Sequence, residues 1–215
     1  MSELKILGNP NSSRTYIRLS GIFENDSLND EYLKIKATLK GQDFCIIILP
    51  INDWDKDLTP WPAKDSNNRN FGSNASDTMS KIIDIILPEY EKEYPCQDRQ
   101  YYLVGYSLAG LFALWVSYQT DLFYGIVAAS PSVWYPGWLD YITEHKCLAT
   151  KVYLSLGTKE HKTRNESMSK VADNIAIQSS ILTTQNVINT LEWNPGNHFS
   201  EVSERLIKGM NWLFS

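Results

Sequence analysis

Apolar residues along this chain change their period several times, and each change marks a predicted element. Leu4-Lys5-Ile6-Leu7 and Thr15-Tyr16-Ile17-Arg18-Leu19 flank the turn-rich stretch Gly8-Asn9-Pro10-Asn11-Ser12-Ser13, which predicts an antiparallel hairpin at a sheet edge. Tyr32, Leu33, Ile35 and Leu39 predict a short helix that Gly41 caps. Phe44 to Leu49 is apolar on both faces, as a buried parallel strand is. Asn52 to Asn74 is a polar loop rich in aromatic residues. Met79, Ile82, Ile83, Ile86, Leu87 and Tyr90 then follow at helical spacing behind a Ser76 or Asp77 cap, and Pro88 predicts a kink. Tyr101 to Val104 predicts a strand that runs into Gly105, and Leu108 to Tyr118 a buried helix.

Gly125 to Ala129 and Lys151 to Leu156 predict two further strands. Residues 163 to about 184 predict a helix, and Val187 to Trp193 an extended segment. Leu206, Ile207, Met210, Leu213 and Phe214 predict a closing amphipathic helix. After the hairpin, strand and helix alternate, which calls for a mostly parallel sheet with helices on both faces, an α/β fold. Chemistry in such sheets collects in the loops at the carboxyl ends of the strands. Those loops are 52–74, 105–109, 130–138, 157–163 and 194–200.

Composition narrows the class. The chain has 215 residues and predicts one domain, 1–215. A net charge of −5 and a pI near 5.2 argue against nucleic acid as a partner. No apolar run approaches the roughly 20 residues that span a bilayer, so no membrane is expected. Met1 to Gly8 lacks a basic region followed by an apolar stretch and a cleavage site. Cys45, Cys96 and Cys147 are odd in number and scattered, which fits neither a disulfide framework nor a metal site. The expectation is a cytoplasmic chain with three free thiols, no metal and no cofactor.

The candidate chemistry begins at Leu103-Val104-Gly105-Tyr106-Ser107-Leu108-Ala109-Gly110. A strand ends in a tight turn with Ser107 at its tip, and a helix starts at once. That geometry exposes the hydroxyl above the sheet and aims the next N–H groups at an oxyanion. Gly105 and Ala109 are small, as the close approach of strand and helix requires. A serine needs a base. Of His145, His161 and His198, only His198 lies in a loop after the last predicted strand. His145 stands at a helix end and His161 in a charged run, both positions for a solvated side chain. The base needs a carboxylate, and Glu160 is the acid of the loop after the penultimate strand. Its competing role is a solvated partner of Lys159 or Lys162.

With these residues in place, the chain resembles the putative-esterase (esterase D-like, enterochelin-esterase-like) family of α/β-hydrolases. Ala129-Ser130-Pro131-Ser132-Val133-Trp134-Tyr135, Leu154 to Glu160 and Asn52 to Ala63 are similar to three further segments of that family. The resemblance implies an α/β-hydrolase fold without a large lid and a metal-free serine hydrolase with Ser107, Glu160 and His198 as its triad. It leaves a Ser-His dyad as the alternative. It also implies an oxyanion hole made of the Leu108 N–H and a second donor among Asn52, Asp53 and Trp54.

The expected reaction is cleavage of a small-molecule carboxylic ester through an acyl-enzyme. An acyltransferase or thioesterase uses the same parts, and a scaffold that binds without catalysis is the reading from another class. Trp54, Trp61, Trp134, Tyr135 and Trp138 occupy two loops expected to face Ser107, either as walls for a ring-bearing substrate or as core filling. Trp134, Tyr135 and Trp61 are the substrate-binding candidates.

Overall fold

The computed structural model describes residues 4–21 and 28–214, so Met1 to Glu3 of the chain start lie outside the described residues. Its strands are β1 (Lys5–Gly8), β2 (Arg14–Gly21), β3 (Cys45–Ile51), β4 (Ala63–Lys64), β5 (Asn70–Phe71), β6 (Gln100–Tyr106), β7 (Phe123–Ala129), β8 (Lys151–Gly157) and β9 (Ile188–Asn194). Seven of them form one sheet in the order β1-β3-β2-β6-β7-β8-β9, and β4 and β5 form a small hairpin. Every pairing in the large sheet is parallel except β1 with β3.

The antiparallel edge strand is therefore present, but its predicted partner is corrected. β1 pairs with β3 (Lys5 opposite Ile48, Gly8 opposite Cys45), and β3 lies between β1 and β2. A two-residue turn would have fixed a hairpin, whereas the six residues from Gly8 to Ser13 are long enough to step across a strand. β2 is an interior strand, paired in parallel with β3 on one side and β6 on the other. Arg18 is buried, with its Nε donating to the buried Glu31 carboxylate at 3.2 Å.

The helices are α1 (Leu28–Thr38), α2 (Trp54–Asp57), α3 (Ala75–Ser80), α4 (Leu87–Glu93), α5 (Leu108–Val116), α6 (Trp138–Glu144), α7 (Glu166–Ser169), α8 (Val171–Thr184) and α9 (Val202–Phe214). A π-helical stretch, Lys81–Ile86, joins α3 to α4, and the Leu87 N–H donates to the Ile82 carbonyl five residues back. The irregularity predicted at Pro88 falls at this junction, since Pro88 is the second residue of α4 and follows directly on the π-helical turns.

α5 is buried at all nine positions, which explains its uninterrupted apolar sequence. It packs on β6 and β7 on one side of the sheet. On the other side α9 covers the same strands with Leu206, Met210 and Leu213, beside Ile35 of α1. The central strands are thus closed on both faces, and their carboxyl ends are the place left for a site. The three cysteines are free thiols. Among the described residues no helix is long and apolar enough to cross a membrane.

Candidate active site

β6 ends at Tyr106 and α5 begins at Leu108, so a single residue, Ser107, makes the reversal. It holds φ 59° and ψ −121°, a conformation that L residues rarely adopt. The reversal presses two backbones together. A Cβ on Gly105 would stand 2.1 Å from the Ala109 carbonyl oxygen, so only glycine fits there. The turn is tied down when the Ser107 N–H donates to the Ala129 carbonyl (3.1 Å) and the Ser107 carbonyl accepts from the Ser132 N–H (3.0 Å).

The Ser107 hydroxyl lies 3.1 Å from Nε2 of His198. Nδ1 of the same ring donates to Oε2 of Glu160 at 2.8 Å. The structure thus brings together the three residues the sequence singled out, although Ser107 and His198 are 91 positions apart. His145 and His161 are exposed and lie elsewhere. Among the described residues no three His, Cys, Asp or Glu side chains gather in a way that would hold a metal ion.

Glu160 is only 3% exposed, while a third of His198 meets solvent. Oε1 of Glu160 accepts from the Gly157 N–H (2.6 Å), the Ser130 hydroxyl (2.8 Å) and Nη1 of Arg205 (2.6 Å). Gly157 must lack a side chain here, since a Cβ would come within 2.8 Å of that oxygen. Burial pushes the Glu160 carboxyl up, but the His198 ring and the Ser130 and Gly157 donors outweigh it and hold it below the usual carboxylate range. Lys159 and Lys162 do not draw Glu160 into solvent.

Arg205, Ser130 and Tyr106 complete the network, and sequence reasoning missed all three. Arg205 sits on α9 with its side chain wholly buried. A signal for it existed. Val202, Leu206, Gly209, Met210 and Leu213 mark the inward stripe of α9, and Arg205 falls within that stripe. A cation on an apolar face requires a buried partner.

A cavity of about 520 Å³ opens over Ser107. Leu108, Trp54 and Trp134 line it, as do Met168 and Phe199. Leu108 and Trp54 are the first residues of α5 and α2, where the backbone N–H has no intrahelical acceptor. Asn52 and Asp53 are exposed, and the Asp53 N–H donates to the Asp57 carboxylate at 3.2 Å.

Trp61, Tyr135 and Trp138 were expected to face Ser107 and do not line the cavity. Tyr135 is buried, and its hydroxyl donates to the Trp61 carbonyl at 2.6 Å. Nε1 of Trp61 donates to the Pro136 carbonyl at 2.8 Å, and the Trp61 and Tyr135 rings meet edge to face. Trp138 donates to the Gln178 side chain at 2.9 Å within the core. Each indole or phenol places its polar atom on a protein acceptor, so these rings brace the loops. Trp134 does reach the cavity, with its ring against Phe71.

A mostly parallel sheet with a strained serine at a strand-to-helix turn, and a histidine and an acid on later loops, defines an α/β-hydrolase. The family model described as "Putative esterase" matches residues 15–198. The chain belongs to that family and is a carboxylic-ester hydrolase. The comparison with curated proteins gives no match. Among solved structures the chain is similar to the siderophore hydrolase EstA from Aspergillus nidulans, at 18% identity over 95% of this chain and 83% of that one, with a TM-score of 0.76. An IroE-like serine hydrolase from Shewanella oneidensis matches at 16% identity over 97% and 74%, with a TM-score of 0.80. The enterobactin esterase of Shigella flexneri matches at 17% identity over 98% and 54%, with a TM-score of 0.73. At these identities the likeness is one of fold.

Proposed function

We propose that the chain cleaves a small-molecule carboxylic ester through an acyl-enzyme on Ser107. The observation that carries this reading is the relay of distances, 3.1 Å from Ser107 Oγ to His198 Nε2 and 2.8 Å from His198 Nδ1 to Glu160 Oε2. His198 takes the hydroxyl proton as Oγ bonds to the ester carbonyl carbon. It returns that proton to the alcohol oxygen as the ester C–O bond breaks. Water then attacks the acyl carbon by the same route, releasing the acid and restoring Ser107. Glu160 keeps the Nδ1–H tautomer, leaving Nε2 free to accept.

Two N–H groups at helix starts, from Leu108 and Trp54, suit the developing oxyanion. Trp54 is favoured over Asp53 because the Asp53 N–H already serves the Asp57 carboxylate. Trp134 and Trp54 offer flat walls for a ring-bearing acid or alcohol. The siderophore and enterobactin esterases of the same fold are consistent with such an ester. Free thiols suit a reducing compartment, and we place the reaction in the cytoplasm.

A fluorophosphonate probe followed by peptide mapping tests the reading, alongside a panel of 4-nitrophenyl esters. Labelling at Ser107 with release of 4-nitrophenolate is expected. Labelling at another serine, or neither labelling nor hydrolysis, overturns it.

A further inference from the structure

We propose that Arg205 is the positioning residue of this site, fixing the segments that carry the nucleophile, the acid and the base, and balancing the charge of Glu160. The inference rests on the triad reading of Ser107, His198 and Glu160. It goes beyond that reading because Arg205 touches neither Ser107 nor the cavity.

The guanidinium lies fully buried where these loops meet. Nη1 stands within hydrogen-bond distance of Glu160 Oε1 (2.6 Å), the Ser130 hydroxyl (2.7 Å) and the Tyr106 hydroxyl (3.2 Å), and shares its two protons among these oxygens. Nη2 donates to the Asn197 carbonyl (2.9 Å). Tyr106 immediately precedes Ser107, and Asn197 immediately precedes His198. The Tyr106 hydroxyl also donates to the His198 carbonyl at 2.5 Å. One planar cation thus sets the spacing between the ends of β6, β7 and β8 and the loop before α9. A rigid fork of donors does this better than a flexible ammonium.

Charge gives Arg205 its second effect. Glu160 is buried, so its carboxylate would act on the imidazole with less screening than in water if it stood alone. The guanidinium on its far oxygen offsets that charge, making a neutral pair at rest. Among the described residues, the titratable and charged groups around His198 are Glu160 on Nδ1, Arg205 behind Glu160, Tyr106 at the His198 carbonyl, and Arg69, Lys159 and Lys162 on the cavity wall. Of these, Arg205 is the buried cation.

The test is a titration of the three histidine Cε1–H resonances in wild type, Arg205→Met and Arg205→Lys, with kcat and KM for a 4-nitrophenyl ester measured across pH. Removing a unit charge two hydrogen bonds from the imidazole should move the His198 midpoint, and with it the acid limb of kcat/KM, about one pH unit upward in Arg205→Met. Arg205→Lys keeps the charge and loses the fork. Its midpoint should stay with wild type while kcat falls about tenfold and KM holds. A midpoint in Arg205→Met that stays put or moves down overturns the charge role. An Arg205→Lys enzyme with wild-type kcat overturns the positioning role, and that variant decides the matter if the Met form does not fold. If wild type neither hydrolyses esters nor labels at Ser107, the hydrolase reading fails. The resonance titration, which needs no turnover, still decides what Arg205 does to His198.

Discussion

Replacing Glu160 by glutamine changes one oxygen for an NH2 group, and the surrounding donors dictate where that group goes. Three donors, from Gly157, Ser130 and Arg205, converge on Oε1, while a single donor, His198 Nδ1–H, meets Oε2. The amide oxygen must stay with the three, because an NH2 there would face three N–H or O–H groups. The amide NH2 then points at His198 Nδ1, which can accept it only by giving up its proton. The imidazole is driven to the Nε2–H tautomer, which cannot take the proton of Ser107. The expected loss in kcat is roughly 10⁴-fold, the scale set by a wrong histidine tautomer. Stability falls too, since the change leaves the buried Arg205 without its counter-charge. Breaking such a pair costs about 3–5 kcal/mol. The amide oxygen retains part of the contact, so the lower end of that range is expected, about 6–12 °C in Tm for a chain of this size. Release of 4-nitrophenolate, followed well below the variant's Tm and paired with a thermal melt, reads both effects. A Glu160→Gln enzyme within tenfold of wild-type kcat would show that Ser107 and His198 act as a dyad, and would sink the argument.

Ser107→Ala should abolish ester turnover and fluorophosphonate labelling with little change in Tm, and surviving turnover would reject Ser107 as the nucleophile. His198→Ala should be as damaging, and the double variant little worse, because groups that act as a unit do not contribute additively; additive losses in kcat would separate their roles. Trp134→Ala should lower kcat/KM for a benzoate or naphthoate ester much more than for an acetate, since its ring faces the cavity. Equal losses would assign Trp134 to the fold. Glu160 titrates below its ordinary range in the folded chain, so the unfolded chain binds the extra proton as pH falls. Its contribution to stability is complete above the unfolded value of about 4.3 and is lost as pH drops through the lowered folded value. Urea melts of Glu160→Gln should therefore lose less stability between pH 5 and 3 than wild type, and parallel curves would contradict the assignment.

The strands and the serine turn were legible because each depends on residues close in sequence. Leu103-Val104-Gly105-Tyr106-Ser107 is at once a buried strand and a turn, and the need for glycine at position 105 follows from the backbone contact that the turn imposes. His198 and Glu160 were legible because the parallel order of β7, β8 and β9 puts their loops at one end of the sheet. The partner of β1 was not legible. Gly8 to Ser13 is consistent with a hairpin or with a step over β3, and the parallel pairing of β2 with both β3 and β6 makes it an interior strand. Two of the three aromatic candidates, Trp61 and Tyr135, miss the cavity for a related reason, while Trp134 reaches it. Trp61 and Tyr135 lie in the right loops, but a side chain's direction depends on which carbonyl its polar atom finds, here Pro136 and Trp61.

Arg205 shows where pattern reading has its limit and where chemistry extends it. Helical period places it inside the buried face of α9, and a buried guanidinium must be matched by an anion and by acceptors. Glu160 is an anion at that end of the sheet, and its second oxygen holds His198. A candidate acid and an unexplained buried base therefore point to each other. Glu160 is kept ionised and immobile by donors on one oxygen so that the other is free to orient the imidazole. The proposed acid is held from β8 and its own loop, the proposed base from the loop before α9, and the proposed nucleophile from β6. Since a displacement of about 1 Å is enough to cost on the order of 100-fold in rate, a site assembled from three such distant segments needs a rigid tie among them. On the proposed reading α9, the last helix among the described residues, supplies it through Arg205, a residue that does not line the cavity.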